Sequence, residues 1–371
     1  MGGLTGLKAL VRDVCGEVLS LARLTAPENR LRQRLSIVTF HRVLTESQRR
    51  LYPLPGLAVT PEELDDHLRF LTRHFRCMSL HTALDLWAGG HVPGRPLLAI
   101  TFDDGQLDNY ENALPVLEKN SVTASFYVPS QVLEDATPLW HDAMAGSVAW
   151  LVSQFVHETA GLRTSGRQGA LGLLAELQPG VDLGRVTPHA AVEAALEQTK
   201  RWNPAQREDW MRRARSLLPP PERHRWDGFM SIGQMKDLVA RGHEIGSHSH
   251  SHALLPQCSD DELRVEIAGS RQKLEAALGT PVTTFCYPNG SADARCVAQA
   301  RIAGYRAAVT TRWGSNLPGD EPYLLQRFNM NAQHAQDRLG RFSEARLAWR
   351  MSGLHPGLDR VRQDPCGGVT A

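Results

Sequence analysis

The chain alternates short apolar runs with amphipathic stretches, the pattern of strands and helices following one another. Leu35 to Leu44 (LSIVTFHRVL) is rich in β-formers and predicts a first strand with a polar His41 near its end. Thr60-Pro61-Glu62-Glu63 combines an N-cap, a proline at the first helical position and a capping-box glutamate. Leu64, Leu68, Leu71 and Phe75 recur on one face behind it, so a helix is expected there. Leu97 to Phe102 (LLAITF) predicts a strand, a helix follows near Asn109 to Asn120, and SVTASFYVPS from Ser121 predicts another strand. Strand, helix and strand in that order imply a parallel sheet with a crossover.

Between about Glu134 and Asp227 the texture changes to long Ala-rich and Arg-rich helical patterns, broken by Gly161, Gly180 and Pro188 and closed by Pro219-Pro220-Pro221. A helical insertion is expected. From Met230 the alternation resumes with a helix over Gly233 to Ala240 and the strand HEIGSH. A helix follows, opened by the capping box Ser259 to Glu262 and closed by Gly279, with Leu263, Ile267, Leu274 and Leu278 as its buried stripe. TTFCYPNG, a helix ending at Gly304, YRAAVTT and a short strand LLQRF at Leu324 to Phe328 complete the units. The organisation expected is a helical extension over 1–34, barrel portions at 35–133 and 229–332, an insertion or cap at 134–228, and a helical tail at 333–371. In the extension, Leu4, Leu7, Leu10, Val11, Val14, Val18 and Leu21 recur at helical spacing. That stripe is expected to dock on the domain, with peripheral membrane contact left open.

Composition narrows the class. A chain of 371 residues can bury a large core, and 42% apolar residues, 22% charged residues and a net charge of +1 speak against global disorder and against a nucleic-acid surface. Six cysteines lie far apart with no CxxC spacing, which indicates a reducing compartment rather than a zinc ribbon or a disulfide framework. Arg12, Asp13 and Glu17 interrupt the N-terminal apolar residues, so no signal peptide is read there, and no run is long enough to span a bilayer. A cytoplasmic protein is expected.

The polar outliers collect at strand ends. His41, Asp103, Asp104 and the run His248 to His252 each follow an apolar stretch, where parallel β/α folds place reacting groups. Asp-Asp-Gly by itself is ordinary turn chemistry, and HSHSH by itself is a solvated loop. Together, imidazole nitrogens and carboxylate oxygens after separate strands form a set suited to a divalent metal. The residues alone leave the histidine pairing open: His248 and His250 share a side on an extended chain, His248 and His252 on a helical turn.

TFDDG at Thr101 to Gly105, followed by GSHSHSHALL from Gly246, resembles the polysaccharide deacetylase family, also called the NodB homology domain or carbohydrate esterase family 4. The resemblance runs over roughly Ile37 to Asn331, outside the insertion. Phe285-Cys286-Tyr287-Pro288-Asn289-Gly290 and the strand LLQRF resemble its exopolysaccharide-associated members. What the resemblance implies is a distorted (β/α) barrel and hydrolysis of N-acetyl groups on a polysaccharide or lipid-linked oligosaccharide. It further implies a divalent metal, zinc by preference, held by Asp104, His248 and His252, with Asp103 as general base. The arginine of the family's third motif is missing here, and Arg327 is the candidate to replace it. His41, in an opening strand similar to that of the subgroup, is a further candidate for the site. Tyr287, Pro288 and Asn289 are expected at the sugar, with the Tyr287 backbone N–H as an oxyanion donor, and Trp140 of the insertion is available to stack on a ring. His334 is the nearest stand-in for the family's late histidine and reads as a surface-loop residue. Two other readings stay open. The missing arginine favours a noncatalytic carbohydrate-binding relative, and an amidohydrolase-like metalloenzyme would use His248 and His250.

Overall fold

In the computed structural model, residues 2–88, 94–135, 137–156, 164–177, 188–217 and 224–355 are described. Gly161, Gly180, Pro219 to Pro221 and Cys366 lie outside them. The strands are β1 (Leu35–Phe40), β2 (Arg42–Val43), β3 (Ala58–Val59), β4 (Arg76–Met78), β5 (Leu97–Phe102), β6 (Ser125–Val128), β7 (Glu244–Ser247), β8 (Thr284–Cys286), β9 (Ala307–Trp313) and β10 (Leu325–Asn329). Seven of them close a parallel ring, running β5, β6, β7, β8, β9, β10, β1 and back to β5. β4 pairs with the first half of β5 and β6 with its second half, while β2 and β3 form a small separate pair. The chain is thus the expected distorted (β/α) barrel.

Strands buried on both faces read as continuous apolar runs, which is why LSIVTF and LLAITF were legible. Every residue of β1 and β5 is buried. They pair in register over six residues, from Leu35 opposite Leu97 to Phe40 opposite Phe102, so His41 and Asp103 leave the barrel at one level. Inward positions, among them Ile37, Ala99, Tyr127, Cys286 and Val309, pack in one cluster. Val38, Ile100, Phe102, Phe126 and Phe285 belong to a second, larger cluster shared with the flanking helices. The helix Pro61–His74 carries its predicted capping box, and Leu64, Leu68, Leu71 and Phe75 are buried.

The structure departs from the sequence reading at three places. The SVTASFYVPS run becomes a strand only at Ser125, because the chain first turns through Ser121 at a φ of 54°. A helix at Leu80–Ala88 and strand β4 were not foreseen. Third, Leu10, Val11, Val14, Val18 and Leu21 of the helix Gly2–Leu21 do not form its packed side, while the side chains of Leu4 and Leu7 lie outside the described ones. Its packed side carries Gly16, where an added Cβ would lie 3.5 Å from the Trp349 ring, and Asp13, which accepts from the Arg338 amide at 2.9 Å. Close approach and a specific hydrogen bond select that side, and Val11, Val14, Val18 and Leu21 are left exposed.

Two compact units are distinguishable: residues 1–45, 56–136 and 229–371, and residues 46–55 and 137–228. The second unit contains the helices Trp140–Val156, Thr164–Leu177, Pro188–Thr199 and Pro204–Arg215. Its buried Trp210 donates its indole N–H to the Leu173 carbonyl at 3.1 Å. Among the described residues, no helix is long and apolar enough to cross a membrane.

Gly246 in β7 leads directly into the histidine run. A Cβ there would sit 2.4 Å from the Tyr127 ring and 3.0 Å from the Thr284 hydroxyl, inside the barrel. Gly246→Ala is therefore expected to lower stability by about 1–3 kcal/mol through overpacking, measured by denaturant unfolding. An effect within about 0.5 kcal/mol, the range of ordinary surface substitutions, would contradict it.

Candidate metal and carboxylate site

The carboxyl ends of β1, β5, β7, β8 and β10 meet at one rim of the barrel, and they carry the chemistry. Asp104 follows β5 with a φ of 76°, a left-handed conformation that a non-glycine residue adopts at some cost. Its Oδ1 lies 3.4 Å from His248 Nε2 and 3.3 Å from His252 Nε2. All three residues are buried, and their donor atoms lie within 4.8 Å of one another. The His248 Nδ1–H donates to the Cys286 carbonyl at 2.8 Å, which leaves the Nε2 lone pair facing Asp104. Lone pairs facing each other at this range call for positive charge between them. Burial depresses the His248 pKa, but the groups around it, the Asp104 and Asp103 carboxylates among them, outweigh it and hold the imidazole well above its ordinary range. The set fits a divalent ion, since ligands at about 2.0–2.2 Å around tetrahedral zinc stand roughly 3.3–3.6 Å apart.

Beside this cluster sits a buried ion pair. Arg327 of β10 donates through Nη1 to Asp103 Oδ1 and through Nη2 to Asp103 Oδ2, both at 2.8 Å. Its remaining donors meet the Thr310 carbonyl, the hydroxyls of Thr39 and Thr101, and the Cys286 sulfur. Burial would raise the Asp103 pKa, but the guanidinium overrides it and lowers the carboxyl to about 2. A guanidinium thus reaches the aspartate from the last strand. His41 stands at the same rim, half-buried, with Nε2 3.9 Å from Asp103 Oδ2.

The loop Ser249 to His252 is shaped by its own backbone. Ser249 and His252 have φ values of 65° and 57°, and the His252 amide donates to Ser249 Oγ at 3.0 Å. This turn brings His252 back onto His248, with ring centroids 4.7 Å apart. His250 goes elsewhere, its Nδ1 lying 2.9 Å from Ser130 Oγ, so the fold does not build the His248 and His250 pair. Glu266, which sequence reasoning missed, clamps the loop: its carboxylate accepts from the amides of His250 and Ser251 at 2.9 Å and from the Ser251 hydroxyl at 2.6 Å. Asp108 and Asn109 were missed as well. Asp108 accepts from Arg42 Nε and the Val43 amide at 2.6 Å, and the Asn109 side chain donates to the His41 carbonyl at 2.8 Å. Both follow the Asp-Asp-Gly turn by a few residues, and that proximity was the only signal in the sequence.

The remaining candidates fall out differently. The Tyr287 amide donates to the Val309 carbonyl at 3.1 Å, so it is held in the sheet and does not serve as an oxyanion donor. Pro288 is buried, and Asn289, at a φ of 56°, has its carbonyl accepting from the Thr311 hydroxyl at 3.1 Å. Trp140 belongs to the second unit, where the Arg207 guanidinium lies 4.8 Å from its ring centre. His334 is not a surface-loop residue: its Nδ1–H donates to the Asn329 carbonyl at 2.8 Å and its ring meets Trp313. Burial, reinforced by Arg350, pushes its pKa down to about 4.

A seven-stranded parallel barrel with this rim defines a class of protein. The family model described as polysaccharide deacetylase matches residues 91–148 and 224–308. Over those two segments the chain is similar to that family, and the unmatched stretch between them falls among the inserted helices. A curated polysaccharide deacetylase homologue, YxkH of Bacillus subtilis (strain 168), is 25% identical over 112 residues, which are 30% of this chain and 40% of YxkH. The chain therefore aligns with less than half the length of that relative. The Streptococcus pyogenes deacetylase PplD, solved with acetate, is similar in structure with a TM-score of 0.54 at 16% identity, over 86% of this chain and 98% of PplD. IcaB from Ammonifex degensii gives a TM-score of 0.50 at 20% identity, over 85% and 97% of the two chains. These two likenesses concern the fold.

The Asp103 carboxyl is lowered from an ordinary 3.8 to about 2, so its contribution to stability is complete above 3.8 and lost as pH falls through about 2. The stability difference between the wild type and Asp103→Asn should therefore shrink by about 2 kcal/mol between pH of about 4 and about 2. Urea unfolding at stepped pH measures it. A constant difference would mean the carboxyl titrates normally.

Proposed function

We propose that the chain is a metal-dependent deacetylase that removes N-acetyl groups from a polysaccharide or lipid-linked oligosaccharide of exopolysaccharide assembly. The observation that carries this reading is the buried Arg327–Asp103 pair standing beside the converging Asp104, His248 and His252. Asp104, His248 and His252 would hold the divalent ion, with zinc the ion their nitrogen and oxygen donors suit. Bound there, the ion would polarise an amide carbonyl and acidify water.

The chain's own groups supply the rest. Asp103 is ionised at every working pH and takes the proton of the attacking water as the new C–O bond forms. A carboxylate held at about 2 is a weak base, so this transfer depends on the water being acidic. Arg327 is a positioning residue that fixes both carboxylate oxygens. When the C–N bond breaks, the proton passes from Asp103 to the departing amine, and His41 is the imidazole placed at the rim beside that carboxylate. The products are acetate and a free amino sugar. Pro288 and Asn289 stand at the adjacent turn as candidates for the sugar contact, and Tyr287 before them is buried. The exopolysaccharide substrate class rests on the sequence resemblance around Phe285 to Gly290 and LLQRF. The noncatalytic reading rested on a missing guanidinium, and the pairing of Arg327 with Asp103 supports the catalytic reading against it.

Purified protein is expected to carry about one divalent ion per chain by elemental analysis, since one carboxylate and two imidazoles leave one tetrahedral position open. Asp104→Asn and His248→Ala should lose it, while His250→Ala keeps it. Full occupancy in the first two variants would overturn the ligand set.

Asp103→Asn should retain the metal and lose roughly 10² to 10⁴ in acetate release from acetylated glycans. Arg327→Ala should also retain metal, release far less acetate, and be destabilised by about 3–5 kcal/mol, because it strands a buried carboxylate. Wild-type turnover in either variant would remove that residue from the reaction. Metal-loaded protein inactive on every acetylated glycan would favour the binding reading.

A further inference from the structure

A cavity of about 330 Å³ is bounded by Arg30 and Arg34 before β1, Trp313 at the end of β9, Phe328 of β10, and Ser352 after the helix Glu344–Met351. It is separate from the rim already described. Gln326 and Phe328 line it, whereas Arg327 between them turns inward to Asp103, so the cavity lies on the other face of β10. No aspartate or glutamate is among its described lining residues.

The two arginines are loosely held. Arg30 Nη2 reaches the Ser352 carbonyl at 3.5 Å, and Arg34 Nη1 reaches the Ser315 carbonyl at 3.5 Å and its hydroxyl at 3.4 Å. Ordinary N–H···O contacts run to about 2.7–3.2 Å, and each of these arginines uses one nitrogen of three. Neither forms an ion pair with a described residue, unlike Arg73 with Glu344, Arg301 with Glu321 or Arg306 with Asp85. Trp313, which is buried, adds an indole N–H that has no hydrogen-bond partner. Positive charge also stands behind the Trp313 ring, where the Arg350 guanidinium lies 5.3 Å from the ring centre. Burial, and after it Arg350, lowers the pKa of His334 and of His355 to about 4. Asp13 is already approached by Arg12 and Arg346 at 3.8 and 3.9 Å.

Guanidinium and indole donors around a space without carboxylates call for an anion with several acceptor oxygens. Two guanidiniums suit the double charge of a phosphate, whose oxygens match their forks in pairs. The volume is at the lower end of small-molecule sites, about 300–1,000 Å³, which leaves room for a small organic remainder. We infer that this cavity binds a phosphate group, free or carried by a small molecule, through Arg30 and Arg34. The inference does not depend on the deacetylase reading.

The test is calorimetric titration of inorganic phosphate, glycerol 3-phosphate and acetate into the full chain and into Asp104→Asn. That variant separates this cavity from the rim, where a bound metal ion would itself take phosphate. Saturable phosphate binding should persist in Asp104→Asn and weaken as sodium chloride is raised. It should fall roughly tenfold or more when Arg30→Gln and Arg34→Gln are added to Asp104→Asn. Arg30 is exposed and Arg34 half-buried, so the two substitutions in the otherwise unchanged chain should leave circular dichroism and metal content as they are. Tighter binding of glycerol 3-phosphate than of phosphate would assign the site to an organic phosphate, and equal binding would assign it to free phosphate. The inference is overturned by no saturable phosphate binding in Asp104→Asn, by binding that the two arginine substitutions leave unchanged, or by acetate binding as tightly as phosphate.

Discussion

The bidentate pair of Arg327 and Asp103 is the constraint around which the barrel is arranged. Two charges removed from water are tolerated only with near-ideal geometry and with every remaining donor satisfied. Four strands meet these requirements: Asp103 follows β5, which also carries Thr101, Arg327 lies on β10, Thr39 on β1 and the Thr310 carbonyl on β9. The guanidinium therefore ties the last strand to the first and fixes where the ring closes. Cys286 on β8 leaves its sulfur in contact with both partners, and a bulkier side chain would compete for the space the guanidinium fills. Burial also pushes the Cys286 thiol pKa up, so the sulfur adds little charge to this pair.

A second layer of constraint is stored in the backbone. Among the described residues, six non-glycine residues have positive φ, and four of them, Asp104, Ser249, His252 and Asn289, follow the strands that meet at the site. Such conformations persist where the surroundings over-determine them. Here they are held by Glu266 across the Ser249 to His252 loop, by the Ser130 and Gln131 amides donating to the carbonyls of Ser249 and His250, and by Thr311 at the Asn289 carbonyl. Strain and clamp together turn three side chains from two loops toward one point. The ion pair and the three-donor cluster share the Asp103-Asp104 step, so the chemistry of one is coupled to the position of the other.

The sequence by itself determined what depends on local periodicity and on covalent neighbours. Fully buried parallel strands must be apolar throughout, so β1 and β5 were visible, and the capping box at Thr60 marked a helix start. The adjacent aspartates and the histidine run announced themselves because polar residues rarely end such strands without a reason. What depends on which surfaces meet was left to the tertiary structure. The choice of His252 over His250 follows from a left-handed Ser249 and its hydroxyl accepting the His252 amide, neither of which leaves a mark in hydropathy. Arg327 could be suggested from the sequence, but only ring closure puts β10 beside β1 and the guanidinium on Asp103. The Tyr287 amide looked free until β8 paired with β9. Amphipathicity drew an apolar stripe on the first helix, and from Leu10 to Leu21 that stripe is not the side that packs. A stripe records that a face is apolar, whereas the fit of Gly16 against Trp349 decided which side turns inward.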